Sequence, residues 1–457
     1  MRAWNLTIAV LALAAPGIAL SAEESAKAEV KTAPPLAGLP SKPGPHIEQI
    51  RALGDNQWLK LPDTAADPNC PSWGGRSYGR SWTPKAAYAA EFGGAFITGE
   101  GGHSAAHGKS GYYGDDVWFY DLYANRWINI YPGTHIPTFA QKLKDGTYHI
   151  DDGGIIRDKD EQAIPVCTMT GHGGCLMDYD KANRKFVWAG TTVGWLAVKG
   201  LREPYDAAMK EQGKKLLYAG LWMYDVASGK TEWFKKDKDH LNAPTKGDSL
   251  GWIQYVDSNK KLLMSTDKRW GIVPPRTSLE WWYDMGTMKA DSTPRKGDIP
   301  FGFGGTCYDP KRDRVYAYVI SELNWPANKP FVPEDHFYYY DVKAGAWVNP
   351  KARNSPVIPS LSNGRFMMEY DTVSDRFVLL NIIHGMPDAD RRIHVYDPEK
   401  NEFETPIPVT DKELPKGFGH SFFCPELNAY FIHRAGGDNQ VGNTWVWRYK
   451  RAPEKKQ

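Results

Sequence analysis

The chain lacks several features that define common classes of protein. It has only five cysteines among 457 residues, too few and too odd a number for a disulfide scaffold. The formal net charge is +2, so no global field favours nucleic acid or an acidic membrane surface. Beyond the N-terminal end no apolar run is long enough to cross a bilayer, and neither a phosphate-binding loop nor a nucleophile elbow is present. We therefore expect no nucleic-acid partner, no membrane span and no cofactor.

The N-terminal segment indicates export. Residues 1–22 have the pattern of a secretory signal peptide, because Arg2 precedes the apolar run 6–13 and small residues lead to a cleavage site at Ala22. The run is too short for the alternative, a membrane anchor. Residues 23–55 are rich in Ala, Pro, Lys and Glu, which predicts a disordered or extended linker. We expect a secreted or periplasmic protein whose folded part spans residues 56–457.

The cysteines fall into two groups. Cys175, Cys307 and Cys424 each lie in a predicted strand, where a small buried thiol is expected. Cys70 and Cys167 lie in irregular segments and could form a disulfide in an oxidising compartment.

Six segments share one pattern, and this repeat determines the fold. Most begin with glycine, turn at Asp, Asn or Pro, and end in a β-branched or aromatic strand such as 314–319. Each segment therefore predicts two antiparallel strands joined by a polar turn. The six segments are 78–102, 171–190, 249–266, 303–320, 363–383 and 417–434.

A third and a fourth strand follow these hairpins. The third strand ends in an aromatic–Asp pair, in which Asp bonds the backbone of its turn while Gly or Asn takes the positive φ that reverses the chain. The fourth strand carries an aromatic residue early, at Trp127, Trp233, Trp347 or Phe403. The aromatic–Asp pairs end at Asp121, Asp225, Asp284, Asp341 and Asp397.

Four antiparallel strands per unit predict the blade of a β-propeller. The sequence resembles kelch-type repeats, the units of galactose-oxidase-like propellers, and does so best at Gly101-Gly102, Tyr120-Asp121, Asn125 and Trp127. The resemblance implies an all-β propeller of four-stranded kelch-like blades over nearly everything after the linker.

Six blades are favoured, and a strand near the N-terminus is expected to close the ring. The final repeat ends at its third strand, residues 444–449, so the orphan strand at 56–62 would complete that blade and remove two open edges. A seventh blade within residues 131–166 is the alternative. An insertion explains that segment better, because it shows only a hairpin pattern at 147–157.

One rim of the predicted propeller collects the residues suited to chemistry. The starts of inner strands and the ends of second strands meet at the same rim, and the insertion 191–220, with a possible helix at 203–214, falls there too. The opposite turns, such as 180–183, are ordinary polar turns. The candidate residues at strand starts are Tyr78, Arg80, His172, Trp252, Arg365 and His420, and those at strand ends are His103, Arg269, Trp270, His384 and Arg434.

A cationic, aromatic rim suits an anionic sugar, and β-elimination from a uronate-containing polysaccharide needs this set of groups. Arginine would neutralise the carboxylate, one histidine would remove the C5 proton, and Tyr78 or a second histidine would protonate the leaving oxygen. The rim resembles, in residue type, that of secreted propellers that cleave ulvan. The arginines are Arg80 and Arg365, the bases His103, His172 and His420, and the sugar-binding residues Trp252, Arg269, Trp270, His384 and Arg434.

Several alternatives stay open. The rim could bind glycan or a protein partner without catalysis, or its Arg and His side chains could serve hydrogen bonds between blades. His103 and His107 have the spacing of metal ligands on a helix, but the surrounding glycines favour a loop, so we expect no metal. The fold resemblance also allows a copper-radical oxidase, which would need a Tyr–Cys cross-link, whereas three of the cysteines fit a core. We expect a monomer.

Overall fold

The fold is all-β: six sheets of four antiparallel strands form the six blades of a β-propeller within the described residues. The structure is a computed structural model. It describes residues 34–77, 85–98, 111–166, 176–189, 199–214, 221–234, 251–266, 279–294, 296–297, 303–320, 336–357, 367–381, 391–409, 419–434 and 442–451.

The chain runs through the blades in order. A helix and a strand come first, α1 (His46–Ala52) and β1 (Gln57–Lys60). Blade 1 contains β2 (Ala87–Ala89), β3 (Gly94–Thr98), β4 (Val117–Asp121) and β5 (Arg126–Tyr131). An insertion follows, with α2 (Ile136–Lys144), β6 (Tyr148–Ile150) and β7 (Ile156–Asp158). Blade 2 contains β8 (Met177–Asp180), β9 (Lys185–Ala189), β10 (Leu221–Asp225) and β11 (Lys230–Trp233), with α3 (Lys199–Glu211) between β9 and β10.

The remaining blades repeat the same order without inserted helices in their described parts. Blade 3 contains β12 (Gly251–Val256), β13 (Lys261–Thr266), β14 (Leu279–Asp284) and β15 (Lys289–Pro294). Blade 4 contains β16 (Phe303–Asp309), β17 (Arg314–Ile320), β18 (Phe337–Asp341) and β19 (Ala346–Val348). Blade 5 contains β20 (Met367–Asp371), β21 (Arg376–Asn381), β22 (Arg392–Asp397) and β23 (Glu402–Phe403), and β24 (Ile407–Pro408) also pairs with β22. Blade 6 contains β25 (Gly419–Cys424), β26 (Ala429–Arg434) and β27 (Asn443–Arg448), with β1 as its outermost strand.

The inner strands of the six blades form a closed ring. Each contacts the inner strand of the next blade, and β25 contacts β2 to complete the circle. We call the rim where inner strands begin, at Gly251, Met367 and Gly419, the start rim, and the rim where they end, at Asp309 and Asp371, the turn rim. The second strand of each blade runs back to the start rim, as the pairing of Gly419 with the last residue of β26 shows.

The core lies between neighbouring blades, where aromatic side chains of facing sheets meet. The ring centroids of Phe96 in blade 1 and Phe186 in blade 2 are 4.9 Å apart. Tyr316 of blade 4 and Phe377 of blade 5 are 4.1 Å apart. Burying such a side chain contributes about 1.5–3 kcal/mol, so these layers hold the ring together.

The aromatic–Asp pairs recur because they build the turns of the turn rim. In four turns the tyrosine hydroxyl donates to the side chain five residues later, and that acceptor has φ between 49° and 56°. Asn and Asp tolerate this left-handed conformation best among residues with a side chain. The donor–acceptor pairs are Tyr120–Asn125, Tyr308–Asp313, Tyr370–Asp375 and Tyr396–Asn401, at 2.7 to 2.9 Å.

Residues 34–55, which composition assigns to the linker 23–55, pack against the propeller. Leu36 is fully buried in the core of blades 1 and 2, and α1 buries Ile47 and Ile50 against blades 1 and 6. The guanidinium of Arg448 donates to the carbonyls of Ile50, at 2.9 Å, and Arg51, at 3.0 Å, at the end of α1. The carbonyl of Ile50 also accepts from the backbone N–H of Leu53 at 3.1 Å, and the cation adds favourable contacts at the C-terminal end of the helix.

The insertion between blades 1 and 2 has a small core of its own. Helices α2 and α3 pack on the β6–β7 hairpin, and Phe139, Leu201 and Tyr205 are buried between them. Arg157 fixes the hairpin to blade 2, because its guanidinium lies 3.1 Å from the carboxylate of Glu232. The predicted hairpin at 147–157 is confirmed, and the predicted helix at 203–214 forms a few residues earlier, as α3. Helix α2 is not among the elements predicted from the sequence.

The buried thiols match the predictions where they are described. Cys307 and Cys424 are buried, as predicted, and Cys175 lies outside the described residues. Cys70 is a free, half-buried cysteine with its Sγ 3.3 Å from Ser72 Oγ, and burial raises the pKa of its thiol. Cys167 lies outside the described residues, but the free thiol of Cys70 contradicts the predicted Cys70–Cys167 disulfide.

Candidate functional site

The start rim is the predicted site, and three of its predicted residues belong to described strands. His420 and Arg434 lie on neighbouring strands of blade 6, and Trp252 lies near the start of β12. The other predicted site residues lie outside the described residues: Tyr78, Arg80, His103, His172, Arg269, Trp270, Arg365 and His384. The roles predicted for all eleven residues stay predictions.

His420 faces His433 across the β25–β26 pair, but both rings are buried in a seam between blades. His420 is 1% exposed, and its Nδ1 lies 3.4 Å from the carbonyl oxygen of Lys85 in blade 1. The ring of His433 meets Trp127 edge to face at 4.7 Å, and its Nδ1 lies 3.3 Å from Thr444 Oγ1. These contacts join blade 6 to blade 1.

Trp252 also occupies a seam between blades. It is 4% exposed, and its ring meets Trp347 of blade 4 edge to face at 5.6 Å. The indole N–H of Trp347 in turn donates to Glu280 Oε1 at 2.8 Å. Direct contact of Trp252 with a sugar would require its ring to become accessible.

Blade 5 adds cationic side chains to the start rim that sequence analysis missed. Arg392 begins β22 opposite Asn381, is exposed, and follows the buried Arg391. His394, two residues further on, is buried, and desolvation together with the charge of Arg392 lowers its pKa to about 4. His394 is therefore neutral at physiological pH. A run of basic residues opening a third strand was the available sequence signal.

A buried ion pair crosses the channel at the centre of the ring. Lys85 Nζ lies 3.0 Å from Asp178 Oδ2 and donates to Ile253 O at 3.1 Å and to Gln254 Oε1 at 3.2 Å. Asp178 Oδ2 also accepts from Gln254 Nε2 at 2.9 Å and from Tyr255 N at 2.6 Å. We call Lys85, Asp178 and Gln254 the channel bridge. It joins blades 1, 2 and 3, and all of its strong donors are used.

Neither the channel bridge nor Glu369 of β20 is among the residues predicted from the sequence. The available signal was a charged residue between buried apolar neighbours, as in Met177-Asp178-Tyr179 and Met368-Glu369-Tyr370. Such residues seldom occur in inner strands unless they have partners, because burying an unpaired charge is costly.

The described part of the chain shows neither a metal-binding cluster nor a membrane-spanning helix. There, no three His, Cys, Asp or Glu side chains come together in a way that could hold a metal ion. His103 and His107 lie outside that part. No helix in it has the length and apolar character needed to cross a bilayer.

Comparison with known proteins finds structural neighbours but no matching family. No family model matches the chain, and no curated protein matches it. A chain from a mitotic checkpoint complex is 9% identical, with 98% of this chain and 100% of that chain covered and a TM-score of 0.38. An oligogalacturonate lyase in complex with manganese is 11% identical, with 88% and 99% covered and a TM-score of 0.36. At these TM-scores neither likeness supports a conclusion about activity.

Proposed function

We propose that the protein is exported and acts on acidic, uronate-containing polysaccharide at the start rim, by β-elimination. The observation that supports this most directly is that basic residues stand at strand ends of blades 5 and 6 on this rim. Arg392 is the first residue of β22 and lies at this rim. Arg434 is the last residue of β26 and pairs with Gly419, the first residue of β25. Guanidinium groups recognise carboxylates through paired, charge-assisted hydrogen bonds, so this rim suits an anionic polymer.

The reaction assigns one role to each predicted group. Arg80 or Arg365 pairs with the uronate carboxylate and stabilises the negative charge that develops when the C5 proton leaves. A histidine takes that proton, the electron pair forms the C4–C5 double bond, and the bond from C4 to the glycosidic oxygen breaks. Tyr78 or a second histidine protonates the departing oxygen, so the products are an unsaturated uronate and a new sugar hydroxyl.

His103 or His172 is the better candidate for the base, ahead of His420. A base must lie within hydrogen-bond distance of the proton it removes, whereas His420 is 1% exposed and lies against a backbone carbonyl of blade 1. His420 would then position the rim. Neighbouring sugars would contact Trp252, Arg269, Trp270, His384 and Arg434.

The proposal also covers two features of the fold, the type of the blades and the strand that closes the ring. The blades would be of the kelch type, with the tyrosine-to-turn hydrogen bonds as their recurring local element. β1 would act as the closing strand of the ring, because its residues Gln57 to Lys60 pair with Arg448 to Trp445 of β27. Pairing with β1 covers the edge of β27 that would otherwise be open to association with another chain.

The test is incubation of the purified full chain with polygalacturonate, alginate and ulvan while the ultraviolet absorbance of the unsaturated product is recorded. We expect absorbance to rise with at least one polymer. Arg365→Ala and His172→Ala should abolish the rise while leaving the circular dichroism spectrum unchanged.

Two matched variants serve as controls. Arg353→Ala removes an exposed arginine that is paired with Glu402, and His149→Ala removes an exposed histidine of the β6–β7 hairpin. Both should keep full activity. Saturable, salt-sensitive binding of the polymers without product would indicate a binding protein instead. If the protein neither bound nor cleaved the polymers, the proposal would be refuted.

A further inference from the structure

A cavity separate from the start rim opens at the turn rim. Its volume is about 330 Å³, within the range of small-ligand pockets. Every blade contributes to its lining, and one residue from each suffices to define it: Lys85, Asp178, Gln254, Thr306, Glu369 and Phe423. All of its lining residues belong to the described part of the chain. The cavity therefore rests on the innermost strands of the ring.

One side of the cavity is the channel bridge, which has no strong donor left for a ligand. The ammonium group of Lys85 already has three acceptors, and Asp178 already accepts from four groups. An ammonium has only three protons to donate. The bridge thus supplies a fixed wall, and any ligand must bind to other groups.

Thr306 and Glu369 are those other groups. Thr306 is 2% exposed, and its hydroxyl has no hydrogen-bond partner within the described residues. Glu369 accepts a hydrogen bond from Ser421 Oγ at 3.0 Å and remains partly accessible from the cavity. A buried hydroxyl without a partner costs free energy, and a ligand or water in the cavity would relieve that cost.

Glu369 is placed to donate a hydrogen bond into the cavity when its carboxyl carries a proton. The titratable groups facing it are Lys85, Asp178 and Tyr430. Burial raises the pKa of Glu369 to about 8, against the opposing effect of the Lys85 charge. The carboxyl therefore carries its proton near neutrality and can donate to a ligand oxygen.

The walls are aromatic and held in place. Tyr255, Tyr308 and Tyr370 line the cavity. The hydroxyls of Tyr308 and Tyr370 donate to turn carboxylates at 2.8 Å, which fixes their rings. Fixed aromatic rings beside a few hydrogen-bonding groups are typical of small-ligand sites, because the rings pack on hydrocarbon while the polar groups orient the ligand.

The charges of the lining select against an ionic ligand. With Glu369 protonated, three carboxylates line the cavity, Glu91, Asp178 and Asp257, against two lysines, Lys85 and Lys181. An anion would meet this acidic excess. A cation would meet the ammonium of Lys85 and, near neutral pH, an uncharged Glu369. A neutral ligand with several hydroxyls has no such penalty.

We propose that the turn-rim cavity binds a single neutral sugar, with Thr306 and Glu369 hydrogen-bonding its hydroxyls and the tyrosines packing on its C–H faces. This site does not depend on the uronate activity proposed for the start rim. The two sites differ in ligand charge, so their ligands can be tested separately.

The test is saturation-transfer NMR on the full chain with D-glucose and D-galactose, with D-galacturonate and D-galactosamine as charged counterparts. We expect saturable binding of a neutral sugar with Kd of about a millimolar and weaker binding of both charged sugars at this site. Thr306→Val keeps the shape but removes the hydroxyl, and should weaken binding about fivefold. Thr231→Val, at a buried threonine of β11 away from the cavity, should have no effect.

Glu369 provides a second, independent readout. Binding to the natural protein should weaken as the pH rises through about 8, because the carboxyl loses the proton that it donates. Glu369→Gln keeps a donor at every pH, so its binding should be independent of pH.

Three results would overturn the proposal. No saturable binding of either neutral sugar would mean that the cavity holds water only. Binding unchanged by Thr306→Val would place the sugar elsewhere. Equal binding of D-galacturonate at this site would refute the charge argument. Cleavage of polyuronate should be unchanged by Thr306→Val, so failure here is distinguishable from failure of the start-rim proposal.

Discussion

Replacing Lys85 by methionine should destabilise the whole ring, because this lysine joins three blades across the channel. Methionine has a similar length but offers no donor or charge. The substitution removes the ion pair to Asp178 and the hydrogen bonds to Ile253 O and Gln254 Oε1. It leaves the Asp178 carboxylate, whose side chain is 11% exposed, without a cation. Removing one partner of a buried pair typically costs about 3–5 kcal/mol.

The assay is urea unfolding followed by tryptophan fluorescence. The control is Lys261→Met, which breaks a pair with Asp291 in which both partners are more exposed, at 29% and 62%. Surface pairs contribute about 0–1 kcal/mol, so this variant should lose little stability. In a second comparison, Lys85→Met is combined with Asp178→Asn, which removes the uncompensated charge. The double variant should recover about 1–3 kcal/mol of the loss.

Two outcomes would refute this reasoning. If Lys85→Met lowered the free energy of unfolding no more than Lys261→Met does, the channel bridge would be a solvated contact. If the double variant were as unstable as the single one, the loss would come from packing of the lysine chain and not from the buried carboxylate.

Three further expectations follow from buried or paired side chains. Burial raises the pKa of Glu369 to about 8, so the folded state keeps a proton that the unfolded chain loses near pH 4.5. The free energy of unfolding should therefore decrease as the pH rises from 4.5 to about 8. Glu369→Gln should remove this pH dependence from the urea midpoints. Arg312 holds the pKa of Asp375 well below its usual range, so Arg312→Met should cost about 2 kcal/mol at neutral pH and less in acid, where Asp375 is protonated in the unfolded chain. Trp58→Ala removes the contact of β1 with Trp447, at 5.9 Å, and should cost about 2–3 kcal/mol in the same assay.

Each expectation has an outcome that would contradict it. Parallel pH profiles for the natural protein and Glu369→Gln would show that this carboxyl is solvated. An Arg312→Met loss that stayed constant into acid would separate its effect from the charge of Asp375. If Trp58→Ala left the urea midpoint unchanged, β1 would not contribute to the stability of blade 6.

The blades could be predicted from the sequence because their signal is local. In four aromatic–Asp turns the donor, the acceptor and its positive φ lie within six consecutive positions, as in Tyr396 to Asn401. The physical cause is therefore contained in the pattern itself. The small buried thiols of Cys307 and Cys424 followed from strand position in the same way.

The site could be predicted only in outline, because its contacts are long-range. Lys85 meets a carbonyl 168 positions away, and no local pattern contains that pairing. His420 and Trp252 lie at the predicted rim, yet their rings turn into seams between blades. Strand periodicity gives the face of a sheet, but in a propeller both faces of an inner strand are covered by neighbouring blades. Helix α2 was missed because the small core that stabilises it forms only with α3.

The contact between Arg448 and the end of α1 has a consequence for folding kinetics. Its hydrogen bonds join residues 395 to 398 positions apart, so they form only after almost the whole chain has been brought together. Contacts of such sequence separation slow folding, and interactions formed late in folding mainly reduce the rate of unfolding. Once assembled, the protein should resist proteases and transient heating for longer than its equilibrium stability alone would imply.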